Sequence, residues 1–343
     1  MRNWIKLDLI LILALAIIIL GSVKPATAEE EAAAFYKGKV LTYVVPVSPG
    51  GGYDTYARLM APFLEKYTGA TVVVRNITGG GSIVGTNFTY HAKPDGLTMG
   101  IIQGPPMAAG QMLGTRGVKF DLAKFNWLGR PAWDRPVFYV GAKSPYKSVD
   151  DVRAAKEFKL GTTGKYSITG FRCSVFVAGM GLTNAKLVHG YAGSAEAQLA
   201  VVRGEMDGAC FAIASARKIL EAGDGVPLIT LDDEREPLVP DVPTLFEVGV
   251  AEAGKKWVDW WFLTMEKIGR GLVAAPGIPK ARIDFLRAAV EKTFKDKEFL
   301  ARAAKANRPI IFLSGEKMFE LVQKSMALSK AEIKELDDLL GRY

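Results

Sequence analysis

The sequence predicts an α/β protein of two lobes around a cleft, each lobe a mostly parallel sheet flanked by helices. Three observations carry this. From Val40 to about Gly249 short apolar segments alternate with amphipathic helical stretches, the pattern of βα units. Glycine-rich turns follow several of the apolar segments, and the alternation is interrupted at 126–135 and 251–262, where a chain with two sets of units would cross between them. With 343 residues, 49% hydrophobic and 23% charged, the chain can build two cores, and disordered, collagen-like and disulfide-scaffold classes are excluded.

Taken in order, Val40–Val45 reads as a strand, 46–52 as a glycine turn, and Asp54–Tyr67 as a helix whose Tyr56, Leu59, Met60, Phe63 and Leu64 recur at helical spacing. Asp54 stands where an N-cap or first-turn acid belongs. A strand at Thr71–Arg75, a turn at Gly79–Gly81, a helix at Ile83–Ala92 and a strand at Thr98–Gln103 follow, the last ending in a Gly104-Pro105-Pro106 loop. The second set opens with a strand at Pro136–Gly141 and a Ser148-capped helix to Glu157. Phe158–Gly161 leads into Thr162-Thr163-Gly164 and a helix to Gly179; Lys186–Gly190 leads into Tyr191 and Gly193-Ser194 and the helix Ala195–Arg203; the strand Asp207–Ala212 enters the helix Ser215–Ala222. Beyond Gly249 lie Trp257, Trp260 and Trp261, expected as core between the lobes, and amphipathic helices at Lys280–Phe294 and within Glu316–Leu340. Lobe 1 is therefore expected to comprise 29–130 plus 255–343, and lobe 2 residues 131–254.

The N-terminus has the parts of a secretory leader: Arg2 and Lys6, an apolar run from Leu9 to Leu20, and an Ala26-Thr27-Ala28 cleavage site. A helix that long rises about 18 Å, short of a hydrocarbon core of roughly 30 Å, so 1–28 is expected to be a signal peptide cleaved after Ala28 rather than an anchor. Cleavage would leave 315 residues and, with Arg2, Lys6, Lys24 and Asp8 removed, lower the net charge from +8 to +6. Lysines and arginines are dispersed, which gives no nucleic-acid patch and leaves either a general pull on small anions or a merely solvated surface. Cys173 and Cys210 are the only cysteines, and they read either as a disulfide or as two free thiols. With only His91 and His189 beside them, no metal-ligand cluster and no cofactor is expected.

The glycine loops lie between strands and helices, where backbone can approach a ligand and free N–H groups point at it, so they suit anions. Ligands of open α/β sheets lie beyond the carboxyl ends of the strands, which would set the loops of both lobes face to face. Hydroxyls and amides without a fixed counter-charge suit a small carboxylate that must be released. Anchoring is then expected from backbone approach at Gly51 more than from any one charged side chain. Arg172 is read as a solvent-facing helix residue, with pairing to a ligand carboxylate as the alternative. No nucleophile motif, HExxH or P-loop lysine is present, so no catalytic residue is assigned.

Several motifs occur together in one order: Val44-Val45-Pro46 with Pro49-Gly50-Gly51-Gly52-Tyr53-Asp54, Gly79-Gly80-Gly81-Ser82, Lys93-Pro94-Asp95-Gly96, Tyr191 with Gly193-Ser194-Ala195, and Val239-Pro240-Asp241-Val242-Pro243-Thr244. In this the chain resembles the solute-binding receptors of tripartite tricarboxylate transporters, the Bug-type family. The resemblance implies a periplasmic-binding-protein fold and a monomeric, non-catalytic periplasmic receptor. Its lobes would close on a small organic carboxylate and deliver it to a membrane permease pair. It also implies ligand contacts at Ser48, Gly50, Gly51, Gly52, Tyr53, Asp54, Gly80, Gly81 and Ser82 of the first lobe. Thr162, Thr163, Gly164, Ser167, Thr169, Tyr191 and Ser194 of the second would face them. Against the family pattern, Tyr53 replaces a small residue, Gly170-Phe171-Arg172 stands where a Ser-His pair often begins the helix, and Phe211-Ala212 replaces a common Asp-Asn pair. These departures imply a more apolar pocket and favour an aromatic or longer-chain carboxylate. An exported α/β enzyme acting on a carboxylate, or a ligand-sensing receptor for a signalling system, are the alternatives.

Overall fold

A computed structural model describes residues 27–191 and 193–343. The leader's charged end, its apolar run and Ala26 lie outside the described residues. Thr27 caps the first described helix, Ala28–Tyr36, in a capping box with Glu30.

The strands are β1 (Val40–Val45), β2 (Thr71–Asn76), β3 (Thr98–Gln103), β4 (Asn126–Arg130), β5 (Pro136–Gly141), β6 (Phe158–Gly161), β7 (Ala185–Val188), β8 (Gly208–Ala212), β9 (Gly225–Thr230), β10 (Arg270–Ala274) and β11 (Leu313–Ser314). They form two sheets, one ordered β11-β4-β10-β3-β1-β2 and the other β7-β6-β8-β5-β9. Helices flank both, so the architecture is α/β in two layered bodies.

Both sheets are mixed, not mostly parallel as expected from the alternation. Parallel pairing is confined to strands joined by helical crossovers, β1 with β2 and β3, and β6 with β7 and β8. Strands bordering the passages between the sheets run antiparallel, β10 against β3 and β4, and β5 against β8 and β9. A parallel partner requires a returning crossover, and a chain that leaves one sheet for the other does not make one. The chain leaves the first sheet after β4, enters the second at β5, and returns between β9 and β10.

Local chemistry explains the element starts. Gly104-Pro105-Pro106, expected as a loop, opens the helix Gly104–Met112 with proline in its first turn, where a missing N–H costs nothing. The helix Ile168–Met180 is buried nearly all round. Against it packs the helix Glu252–Trp260, and a β-carbon on Gly254 would come within 2.2 Å of the Ala178 carbonyl oxygen, so the two backbones nearly touch. The tryptophans belong to the core: Trp261 lies flat on Phe171, 4.5 Å between centroids, and Trp260 Nε1 donates to the Ser325 carbonyl at 2.8 Å. Cys173 and Cys210 are buried free thiols, and burial pushes the Cys210 thiol up. No helix among the described residues is long and apolar enough to cross a membrane.

Candidate functional site

A cavity of about 270 Å³ lies between the two sheets. Gly52, Tyr53, Gln103, Arg270 and Arg308 come to it from the side of the first sheet, Asp134 from the passage between sheets, and Thr169, Arg172, Ser194 and Phe211 from the side of the second. The helix Gly52–Thr68 begins at its edge, so Gly52 and Tyr53 present a helix N-terminus.

Its charge comes from arginines. Arg270, the first residue of β10, is 6% exposed, ion-pairs with Asp134, and has its guanidinium 5.0 Å from the ring centroids of both Tyr53 and Tyr56. Its Nε is buried without a partner. Burial opposes the charge on Arg270, but Asp134 outweighs it and the pKa rises; burial likewise opposes the Asp134 carboxylate, and Arg270 brings it below its ordinary value. Burial pushes the Tyr53 hydroxyl up to about 12 despite Arg270, so it stays a donor at neutral pH.

Arg172 is 3% exposed rather than solvent-facing, and forms a two-pronged pair with Glu266, Nε donating to Oε2 at 3.1 Å and Nη2 to Oε1. Trp261 Nε1 donates to the same carboxylate at 2.9 Å. Glu266 follows a π-helical turn at Trp261–Met265, an irregularity frequent at functional sites. The third cation, Arg308, is half-buried with its Nε unpartnered, and no ion pair engages it among the described residues. The two arginine–carboxylate pairs cancel, so the wall carries one positive charge in excess.

Of the residues expected from sequence, Gly52, Tyr53, Thr169 and Ser194 line this cavity. Ser82 and Asp54 stand behind it. Ser82, held at φ 84°, accepts at Oγ from Gln103 Nε2 at 2.9 Å and so positions a lining side chain. Asp54 is in the first turn of its helix, where its carboxylate accepts from the Gly50 N–H (2.9 Å), Arg58 Nε (2.9 Å) and Asn76 Nδ2 (3.0 Å). Burial opposes the Asp54 charge, but these donors win and hold its pKa low. Asp54 and Asp134 thus contribute stability that is present above the unfolded-state value of about 3.9 and is lost as pH falls through their lower folded-state values. Asp54→Ala is expected to cost about 1–2 kcal/mol and to speed hydrogen exchange at the Gly50 amide, measured by NMR. Protection of Gly50 equal to wild type would mean that the carboxylate does not clamp the loop.

Ser48, Gly50, Gly51, Gly80 and Gly81 are exposed and do not line the cavity. The argument for Gly51 changes in particular: its φ is −75° and a β-carbon there would meet only the Ser48 carbonyl at 3.8 Å, so neither positive φ nor close approach requires glycine. Gly50, at φ +86°, is the constrained position, while a β-carbon on Gly52 would make an ordinary contact with Arg270 Nη2 at 3.5 Å, the nearest approach of the loop to a cavity-lining charge. On the other side, Thr169 Oγ1 bonds to Thr163 Oγ1 at 3.0 Å and to Ser167 Oγ at 2.9 Å, Ser167 caps the helix Ile168–Met180, and the Gly164 carbonyl accepts from Ser167 Oγ at 2.7 Å. Thr162 is buried against His189 at 2.6 Å, and Tyr191 packs on a hydrophobic cluster of the second sheet. This cavity differs from the expected set of amides and hydroxyls without fixed counter-charge in having arginines on both walls. The apolar trend expected from Phe211 and Ala212 has a counterpart, since both line it. No cluster of His, Cys, Asp and Glu able to hold a metal occurs among the described residues.

The profile of a family described as tripartite tricarboxylate transporter family receptor matches residues 56–337. A protein of Pseudomonas sp. (strain P51), described as UPF0065 protein in the tcbD-tcbE intergenic region, is 27% identical over 264 residues, 75% of this chain and 74% of that one. Among solved structures, periplasmic binding protein BugD superposes with a TM-score of 0.69 at 20% identity, covering 89% of this chain and 99% of its own. MatC of Rhodopseudomonas palustris, with bound malate, gives 0.66 at 23% identity, covering 88% and 99%. The fold is that of two-lobed periplasmic binding proteins.

Proposed function

The chain belongs to the tripartite tricarboxylate transporter receptor family, and from that premise we propose that it holds an organic carboxylate in the cavity between its sheets and passes it to a membrane permease pair. The observation that carries the site is Arg270: a buried guanidinium stacked beside two tyrosines, with an unpartnered Nε, on the wall of a cavity. The guanidinium lines the cavity and carries its charge there, so a ligand carboxylate would meet it with charge-assisted bonds. Tyr53 and the helix N-terminus at Gly52 add donors. MatC carries malate, which supports a carboxylate as the ligand here.

The leader supports action in the periplasm; we propose too that the protein acts as a monomer and performs no chemistry on its ligand. Segments 29–130 with 255–343, and 131–254, then act as the lobes of a hinge that closes on ligand, with Asp134 beside the first crossing. A thermal-shift screen of the mature protein against carboxylates tests the reading. A ligand at about 100 times its dissociation constant stabilises by roughly 2.7 kcal/mol, a rise of several degrees. Recovery of chemically altered ligand would favour the enzyme alternative, and no shift with any carboxylate would remove the proposal.

The glycine loop enters through Gly52. Gly52→Val sets γ-carbons against the Arg270 guanidinium and is expected to weaken binding at least tenfold in calorimetry, whereas Gly51→Val stays within about threefold. The opposite ranking would return the site to the exposed loop.

A further inference from the structure

A second chamber, about 360 Å³, adjoins the first and shares Asp134, Ala214 and Arg308 with it. Its walls are largely apolar: Trp133, Ile213, Leu238, Pro309 and Ile311. Leu238 is 47% exposed, one of few large apolar side chains left open to solvent among the described residues.

The charged groups around this chamber are already engaged or of the wrong sign for an anion. Arg135 pairs with Asp232 at 3.1 Å and with Glu234. Arg217 pairs with Glu221 at 2.6 Å. Glu236, 8% exposed, is a carboxyl on the wall, accepting from the Leu238 N–H at 3.2 Å. Burial pushes its pKa up, so the wall disfavours further negative charge. Arg308 alone has no carboxylate partner among the described residues, its Nη1 donating only to the Asn307 carbonyl at 3.4 Å, and it stands at the boundary between chambers.

One positive charge in excess matches one carboxylate, and an apolar space beyond it matches an apolar body. We propose, resting on the reading of the cavity as a carboxylate site, that the protein takes monocarboxylates whose apolar tail or ring occupies the chamber bounded by Trp133, Ile213, Leu238 and Ile311. A dicarboxylate long enough to span both chambers would bring its second charge to the buried Glu236 carboxyl and to apolar walls. Covering Leu238 and its neighbours supplies the gain in affinity, and the arginines fix the orientation.

Calorimetry with butyrate, hexanoate, 3-phenylpropionate and adipate tests this on mature wild-type protein and on Leu238→Asp, a substitution at an exposed position. Affinity is expected to rise about fourfold for each methylene buried, and adipate to bind at least tenfold more weakly than hexanoate. Leu238→Asp should erase the advantage of hexanoate and 3-phenylpropionate while leaving butyrate within about twofold. Adipate binding as tightly as hexanoate or tighter, or a chain-length gain that survives Leu238→Asp, would overturn the tail assignment and leave the carboxylate site standing. Failure of all four acids and of malate to bind would overturn both.

Discussion

Arg270→Gln is expected to lower carboxylate affinity by one to two orders of magnitude. A hydrogen bond to a charged group contributes about 1.5–3 kcal/mol, which is roughly 10- to 150-fold in affinity. Glutamine removes both the charge and the planar fork, and the loss follows if Arg270 is the main anchor. The substitution also frees Asp134, whose carboxylate would then oppose an anion in the same cavity. Arg270→Lys is the informative contrast: it keeps the charge but loses the planar fork of donors and the guanidinium's place beside the Tyr53 and Tyr56 rings, so an intermediate affinity is expected. Calorimetry on both variants, with circular dichroism to show that each is folded, makes the measurement. Unchanged affinity in folded Arg270→Gln would mean that the guanidinium only braces Asp134.

The second large effect is on stability. Arg172→Met leaves Glu266, 3% exposed, without its cation and with one remaining donor, Trp261. Breaking a buried pair from one side costs about 3–5 kcal/mol, because the stranded charge stays buried. Thermal unfolding should therefore begin several degrees lower. Glu266→Gln added to Arg172→Met removes the stranded charge and keeps an acceptor for the indole, so the double variant should recover more than half of the loss. Additive losses in the double variant would show that the pair is not the source of the effect. The pair joins the helix Ile168–Met180 to the segment entering β10, so it also fixes one wall of the cavity.

Much of the scaffold was legible because its units obey local rules. β1, β3, β5 and β6 have the bounds their apolar runs suggest, since each is closed by a glycine, a proline or a cap. Periodicity does not mark β4 and β10, because a strand buried on both faces carries no alternation: β10 reads Arg-Gly-Leu-Val-Ala and is buried throughout; β9, at the edge of its sheet, also carries none. Arg270 fell with it, its partner Asp134 being 136 positions away and brought near only by the pairing of β10 with β3 and β4.

Arg172 was legible in principle. The helix that holds it, Ile-Thr-Gly-Phe-Arg-Cys-Ser-Val-Phe-Val-Ala-Gly-Met, has no polar face for an arginine to occupy, and a helix apolar all round is buried. A charged residue within it has to be paired, which is the opposite of a solvent-facing reading. The glycine motifs were visible for a different reason. Gly50 and Gly79 to Gly81 serve turns at positive φ, so they mark where the chain bends beside the cavity more than where it touches it. Only Gly52 is set against a charged group on the cavity wall.

The central claim is that a carboxylate sits between the sheets on the arginines, not on the exposed glycine loops. A crystal structure of the mature protein with the tightest-binding carboxylate from the thermal-shift screen tests it most directly. Carboxylate oxygens within about 3 Å of the Arg270 guanidinium, with Tyr53 or the Gly52 N–H as a further donor, are the expected result. Carboxylate density on Gly50-Gly51 or Gly80-Gly81, with Arg270 Nε still unpartnered, would contradict it.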